Sequence, residues 1–374
     1  MASISSASGI RLVGTIPCAG GGQLVVHDGI AYIAHMAAPH GTSIVDVRDP
    51  RNPRTLASID VPPGTHAHKV RVVGDVMVTN REVNFADPAG RPGDFRGGIV
   101  VYDVSNPAQP RERSRWETDG AGVHRFDFDG AFVYCSPTVD GYRGNIVMIL
   151  DIRSATPVEV SRWWKPGQWI AGGEQPDWNG TAQRCHHPLR FGDRLYTSYW
   201  HGGFVILDIA DLSAPACISA YAPDPPSGCP THSAVLVPFA AGGRRIALVA
   251  DEDVDRTAGA LPARLWTIDV TDERQPRALS AFQVAGVAPD APEMTGCHQP
   301  VETIVSNEVA VAWFANGVRI VDIGQPDALR EVAHFIPEPL GAEARPSSND
   351  VFVDERGLIY LIDRMHGVSI LERT

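Results

Sequence analysis

The chain has 374 residues, 44% hydrophobic and 20% charged, with a formal charge of −12 and no block of Lys or Arg. That balance is ordinary for a globular protein, and the lack of a basic stripe excludes a nucleic-acid partner. No apolar run approaches the ~20 residues that a membrane-spanning helix needs, so no membrane partner is expected either.

The first stretch, MASISSASGIRLVG, has no charged region followed by an apolar one, so a cytoplasmic protein is expected. The six cysteines show no CxxC spacing and are expected as free thiols. Asn179-Gly180-Thr181 fits a glycosylation sequon, a weak signal in such a chain. Ile10–Ile16 (IRLVGTI) then reads as a strand without a neighbour in sequence.

One phrase recurs from there on: an apolar strand ending in Asp, a polar turn rich in Pro, and a second short strand. It runs through Thr42–Ile59, Gly97–Trp116, Asn145–Trp163, Gly203–Tyr221, Ala263–Phe282 and Gly317–Phe335, and is cut short at Gly367–Thr374. Each copy is preceded by two more short runs around a tight turn, such as Val70–Val73 and Val76–Thr79 about Gly74-Asp75. Val, Ile, Tyr and Trp fill these runs, and 36 Gly and 30 Pro fall between them.

Seven four-stranded repeats predict an all-β chain, a seven-bladed β-propeller forming a single domain over 1–374. The blades are expected at about 20–63, 64–122, 123–183, 184–229, 230–296, 297–346 and 347–374. The last repeat supplies three strands, and Ile10–Ile16 resembles its missing outer one, which would remove an exposed edge.

The phrases GIVVYDVSNPAQP, FVILDIADLSAP and VRIVDIGQPDAL resemble the LVIVD repeat family of propellers. That resemblance implies the fold and carries almost nothing about function, because propellers serve both as enzymes and as binding platforms.

Connections within the repeat are of two kinds. Short turns join the first to the second strand and the third to the fourth. The others grow long, at Arg81–Arg96, Lys165–Gln183, Asp251–Pro262, Ala285–Gly296 and Pro337–Ser348. Long loops confined to one class mark the functional side.

Aligning the repeats on their first strands brings out one column. His68, His124 and His186 each stand six positions before the turn glycine, and His232 and His298 hold the same place in the next two repeats. Gln23 and Asn349 (or Ser348) occupy it elsewhere. Five of 13 histidines at one repeat position point to a divalent transition metal, Fe, Mn, Zn or Cu, on the propeller axis. The bland reading is an inherited residue that bonds backbone. The layout also looks like that of carotenoid-cleavage oxygenases, whose four axial His hold iron, although no flanking motif of that family is present.

Residues after the second strands complete the candidate site. Glu82, Asp251 and Asp363 are expected as catalytic carboxylates. Trp169, Tyr199, Trp200 and Arg364 are expected to bind substrate. His66, His187 and His201 are neighbours of undecided role, His366 ends the run Asp363-Arg364-Met365-His366, and Cys185, Cys229 and Cys297 precede column histidines. GxSxG, HExxH, P-loop and CxxC motifs are absent. The expected function is therefore a metal-dependent enzyme, oxygenase or lyase, acting on a small organic substrate, perhaps an aromatic one. The alternative is a non-catalytic platform that binds a protein or ligand on its long-loop face. Oligomeric state is left open.

Overall fold

The computed structural model describes residues 4–18, 20–178, 183–222, 228–254, 262–285, 294–338, 345–365 and 367–374. Among them there is no α-helix, only one 3-10 turn at Ile170–Gly172. The strands form seven antiparallel sheets, and the protein is a seven-bladed β-propeller.

Blade one is Gly21–His27, Ile30–His35, His40–Asp46 and Arg54–Asp60. In blade two, Val76–Val83 pairs with both Thr65–His66 and Val70–Val73, then with Gly98–Asp103, which pairs with Arg111–Glu117. Blade three runs Val123–Phe128, Phe132–Pro137, Val147–Asp151, Val158–Trp163, and blade four Arg184–Phe191, Arg194–Trp200, Gly203–Asp208, Ala216–Tyr221. Blade five is Thr231–Leu236, Ile246–Asp251, Leu265–Asp269 and Arg277–Phe282. Blade six is Gln299–Pro300, Glu308–Ala312, Val318–Asp322 and Arg330–Pro337; blade seven starts Ser348–Val353, Ile359–Asp363, Gly367–Arg373.

The recurring Asp has a local cause. Asp103, Asp151, Asp208, Asp269 and Asp322 each turn a carboxylate oxygen onto the backbone N–H two residues on, at 2.9 Å. This Asx turn stops the third strand and starts the reversal. The fourth strand then carries a bulge against the third, at Val101/Tyr102, Ile149/Leu150, Thr267/Ile268 and Ile320/Val321.

The chain divides into two compact units. The first comprises Met1–Val26, Val47–Pro53 and Tyr221–Thr374; the second His27–Asp46 and Arg54–Ala220. In the first unit, Ile10–Ile16 lies against Gly367–Arg373 and supplies the fourth strand of blade seven. Ile10 and Ile16 are buried there. A strand not foreseen from the sequence, Ile4–Ser8, extends blade six by pairing with Arg330–Pro337. Gly9, at φ +65°, joins the two strands, and its carbonyl accepts from Thr374 N at 3.1 Å and Arg373 Nη1 at 2.7 Å.

In the second unit the core lies between successive sheets. Phe126, Val133 and Leu150 of blade three meet Val78, Ile99 and Val101 of blade two. Tyr134, Val147 and Ile149 meet Leu195, Tyr199, Val205 and Leu207 of blade four. Consecutive residues of a strand point to opposite faces, so Val133 and Tyr134 pack against different neighbouring sheets and both faces of the strand are buried.

Candidate metal centre

The histidine column coincides with irregularities in the ladder between the first and second strands. Pairing skips from Cys185 to His187, from Thr231 to Ser233 and from Ser348 to Asp350, so His186, His232 and Asn349 are the extra residues. In blade three the skip spans His124 and Arg125, and His68 lies between Thr65–His66 and Val70–Val73. A bulge turns a side chain out of the strand's alternation. The lost ladder bonds are replaced from the second strand. Lys69 N donates to Asn80 Oδ1 at 2.8 Å, Arg125 N to Ser136 Oγ at 2.9 Å, and His187 N to Ser198 Oγ at 3.1 Å.

His68, His124 and His186 belong to the second unit, where they form an array with His66 and Glu82. Ring centroids are 4.3 Å apart for His66 and His68, 4.9 Å for His68 and His124, and 4.8 Å for His124 and His186. Glu82 Oε2 is 3.0 Å from His66 Nε2 and 2.8 Å from His124 Nδ1. His124 Nε2 faces His186 Nε2 at 3.1 Å. Trp200 lies 4.7 Å from the His186 ring, and the Arg184 guanidinium lies over the Trp200 ring at 4.8 Å.

Two details of this array bear on its chemistry. His66 Nδ1 is 3.3 Å from the Met36 carbonyl, so both its nitrogens face oxygen acceptors. His68 Nε2 is buried without a hydrogen-bond partner among the described residues. Burial opposes the Glu82 charge, but His124 and His66 outweigh it and hold the carboxyl far below its usual range. Burial, then neighbouring positive groups, keep His68 well below the ordinary imidazole range; burial also lowers His124, with Glu82 working against it. An ionised carboxylate beside an imidazole held unprotonated by burial, as Glu82 stands beside His68, is the pairing that metal ligation requires. His66, His68 and Glu82 bring three ligand atoms within 4.8 Å of one another. Buried His and Glu groups of this chain could thus hold a metal.

His232 and His298 belong to the first unit, with ring centroids 4.1 Å apart. Their carboxylate is Glu252, 3.9 Å from His232 Nε2 and 3.4 Å from His298 Nε2. His298 Nδ1 donates to the Asn349 carbonyl. Arg364 stacks on Phe314 at 5.2 Å, donates from Nε to Asn349 Oδ1 at 2.7 Å, and reaches within 3.8 Å of Glu252.

The other expected site residues have the following contacts. Asp251 accepts from Trp266 Nε1 at 2.7 Å, and its successor Glu252 faces the histidines, because consecutive strand residues alternate sides. Asp363 caps a strand end, accepting from Ser347 N at 2.7 Å and Met365 N at 2.8 Å. Tyr199 is fully buried and donates to Gln168 Oε1 at 3.0 Å, while Trp200, next in the strand, turns toward His186. Trp169 is 40% exposed beside Trp164, away from the imidazole array. Cys185 and Cys297 are fully buried, and burial pushes their thiols well above their ordinary range. His366 and the sequon Asn179-Gly180-Thr181 lie outside the described residues.

His66 is the participant that alignment of the repeats missed. It stands two residues before the column and has no counterpart in the other blades. Its one signal in the sequence is the spacing His66-Ala67-His68.

The fold and the site define a propeller with buried His/Glu groups on bulged strands. The LVIVD repeat family matches residues 93–118 and 191–222, so the chain carries LVIVD repeats. No curated protein matches the sequence. Among solved structures, a periplasmic gluconolactonase of Pseudomonas aeruginosa is similar at 13% identity and TM-score 0.62, over 89% of this chain and 88% of that one. Sqt1 of Saccharomyces cerevisiae aligns at 11% identity and TM-score 0.57, over 97% and 84%. A chain of a mitotic checkpoint complex aligns at 11% and 0.60, over 100% and 95%. At such identities these likenesses concern the fold alone.

Proposed function

We propose that the protein is a metal-dependent enzyme whose divalent transition-metal ion is held by His66, His68 and Glu82, and that it acts on a small organic substrate. The observation that carries this reading is His66. With Nδ1 on the Met36 carbonyl and Nε2 3.0 Å from an ionised carboxylate, it needs positive charge. A metal ion between Nε2 and Glu82 would supply that charge, and the elemental analysis below separates it from a second ring proton. The unpartnered Nε2 of His68 supports the same conclusion. Asn80 Nδ2 has Val123 O, His68 Nδ1 and His124 O within 2.9, 3.2 and 3.4 Å. An amide nitrogen only donates, so His68 Nδ1 is its acceptor here; for Nε2 to ligate, the ring proton must move to Nδ1 and the imidazole turn away from Asn80.

Two imidazoles and one carboxylate form the donor set that leaves positions open on iron, which favours oxygenase over lyase chemistry. The ion would supply Lewis acidity and, if iron, one-electron chemistry with O₂. His124 donates its Nδ1 hydrogen to Glu82 and so fixes the carboxylate. The His124–His186 contact can pass a proton along the array, and Trp200 gives the site an aromatic wall beside His186. The gluconolactonase named above is one enzyme on such a scaffold, a supporting analogy of fold only.

The test is elemental analysis of protein purified without added metal, for wild type and for His66→Ala, Glu82→Gln and His334→Ala. Stoichiometric metal in wild type and His334→Ala, lost in the other two, is the expected pattern. A folded, metal-free wild type would leave a binding platform as the better reading.

A further inference from the structure

A second pocket lies in the second unit, apart from the imidazoles. It encloses about 210 Å³ beside blade two, walled by Arg81, the loop residues Phe95 and Arg96, and Arg115 and Trp116 of the outer strand. Arg81 and Glu82 are consecutive on one strand, so their side chains leave opposite faces; Glu82 serves the histidines and Arg81 this pocket.

The charges of the pocket are unevenly matched. Arg115 is committed, with Nε and Nη2 on the two oxygens of Glu112 at 2.7 and 2.8 Å and Glu117 at 3.8 Å. Arg81 reaches only Tyr102 Oη, at 3.4 Å, and its buried Nε has no hydrogen-bond partner among the described residues. Arg96 is exposed and has no partner among them. Asp94 and Glu117 are the lining carboxylates, so three lining guanidinium groups face two carboxylates. A buried guanidinium N–H without an acceptor is a group awaiting one.

We infer that this pocket binds a small aromatic carboxylate. A guanidinium fork matches a carboxylate through paired N–H donors, and Arg81 and Arg96 are the guanidinium groups not already taken. Phe95 and Trp116 supply apolar faces for the body of the ligand. The volume equals roughly seven waters at about 30 Å³ each, which limits the occupant to about ten non-hydrogen atoms. The site does not depend on the metal reading, since none of its lining residues is a proposed ligand.

Titration calorimetry with benzoate tests this, with benzamide as neutral isostere and inorganic phosphate as a bare anion. Wild type should bind benzoate at least tenfold more tightly than benzamide. Arg81→Gln should weaken benzoate at least tenfold and Arg96→Ala at least threefold, and EDTA-treated wild type should bind it unchanged. Arg96 is exposed, so its variant keeps the test valid if Arg81→Gln fails to fold. Equal binding of benzamide, full affinity in Arg96→Ala, or loss of benzoate with EDTA would each overturn the inference. Phosphate competing as well as benzoate does would also overturn it, in favour of a plain anion site.

Discussion

Asn80 links stability to the proposed metal site. It is fully buried, accepts from Lys69 N at 2.8 Å and donates to the Val123 carbonyl at 2.9 Å. It thus replaces ladder bonds that the interrupted first strand of blade two does not make, and ties that strand to blade three. Asn80→Ala leaves two buried backbone groups unsatisfied, at about 1–3 kcal/mol each, so a loss of roughly 2–6 kcal/mol is expected. Asn80→Asp keeps the acceptor for Lys69 N and loses the donor to Val123, so it should fall between. The assay is the midpoint of urea unfolding, read alongside bound metal after purification without supplements. His68, adjoining Lys69, should lose its fixed position in Asn80→Ala, and metal content should fall with stability. A midpoint within about 0.5 kcal/mol of wild type, with metal unchanged, would refute the idea that this side chain holds the bulge and the ligand in place.

Other expectations follow from the same structure. Deleting residues 1–17 removes Ile4–Ser8 and Ile10–Ile16 and bares the edges of Arg330–Pro337 and Gly367–Arg373; aggregation is expected, and an unaltered melting midpoint would contradict strand closure. Gln168 is fully buried, donates to the Arg143 and Asn145 carbonyls at 2.8 and 2.9 Å and accepts from Tyr199. Gln168→Ala should cost about 2–4 kcal/mol in denaturant unfolding; an effect below 0.5 would show that the tryptophan loop is anchored by other contacts. Cys217 is exposed, whereas Cys135, Cys185 and Cys297 are buried with thiols raised by burial. Mass spectrometry after brief iodoacetamide treatment of native protein should find Cys217 alkylated well before those three, and equal labelling would speak against the packing. Ser136→Ala removes the acceptor for Arg125 N and should cost about 1–3 kcal/mol without loss of the His66–Glu82 contact, so metal content should persist.

The sequence by itself determined the architecture, because the forces that make each blade are local. The Asp that ends the third strand of five blades bonds a backbone N–H two residues away, and near-continuous apolar runs fill strands buried on both faces. Both leave a mark at a fixed period, legible in the recurring phrase. The three-stranded last repeat likewise announced a partner for Ile10–Ile16. The column of histidines was legible for the same reason, as one repeat position held by one residue type. What that column touches was decided by the tertiary structure. Glu82 meets His66 from 16 residues away and His124 from 42, and no period in the chain encodes those distances. The choice between Asp251 and Glu252 turned on which side of a strand each faces, a matter of one residue of register. His66 has no repeat counterpart, and its role came only from the Met36 carbonyl and the Glu82 carboxylate that the fold places on its two nitrogens.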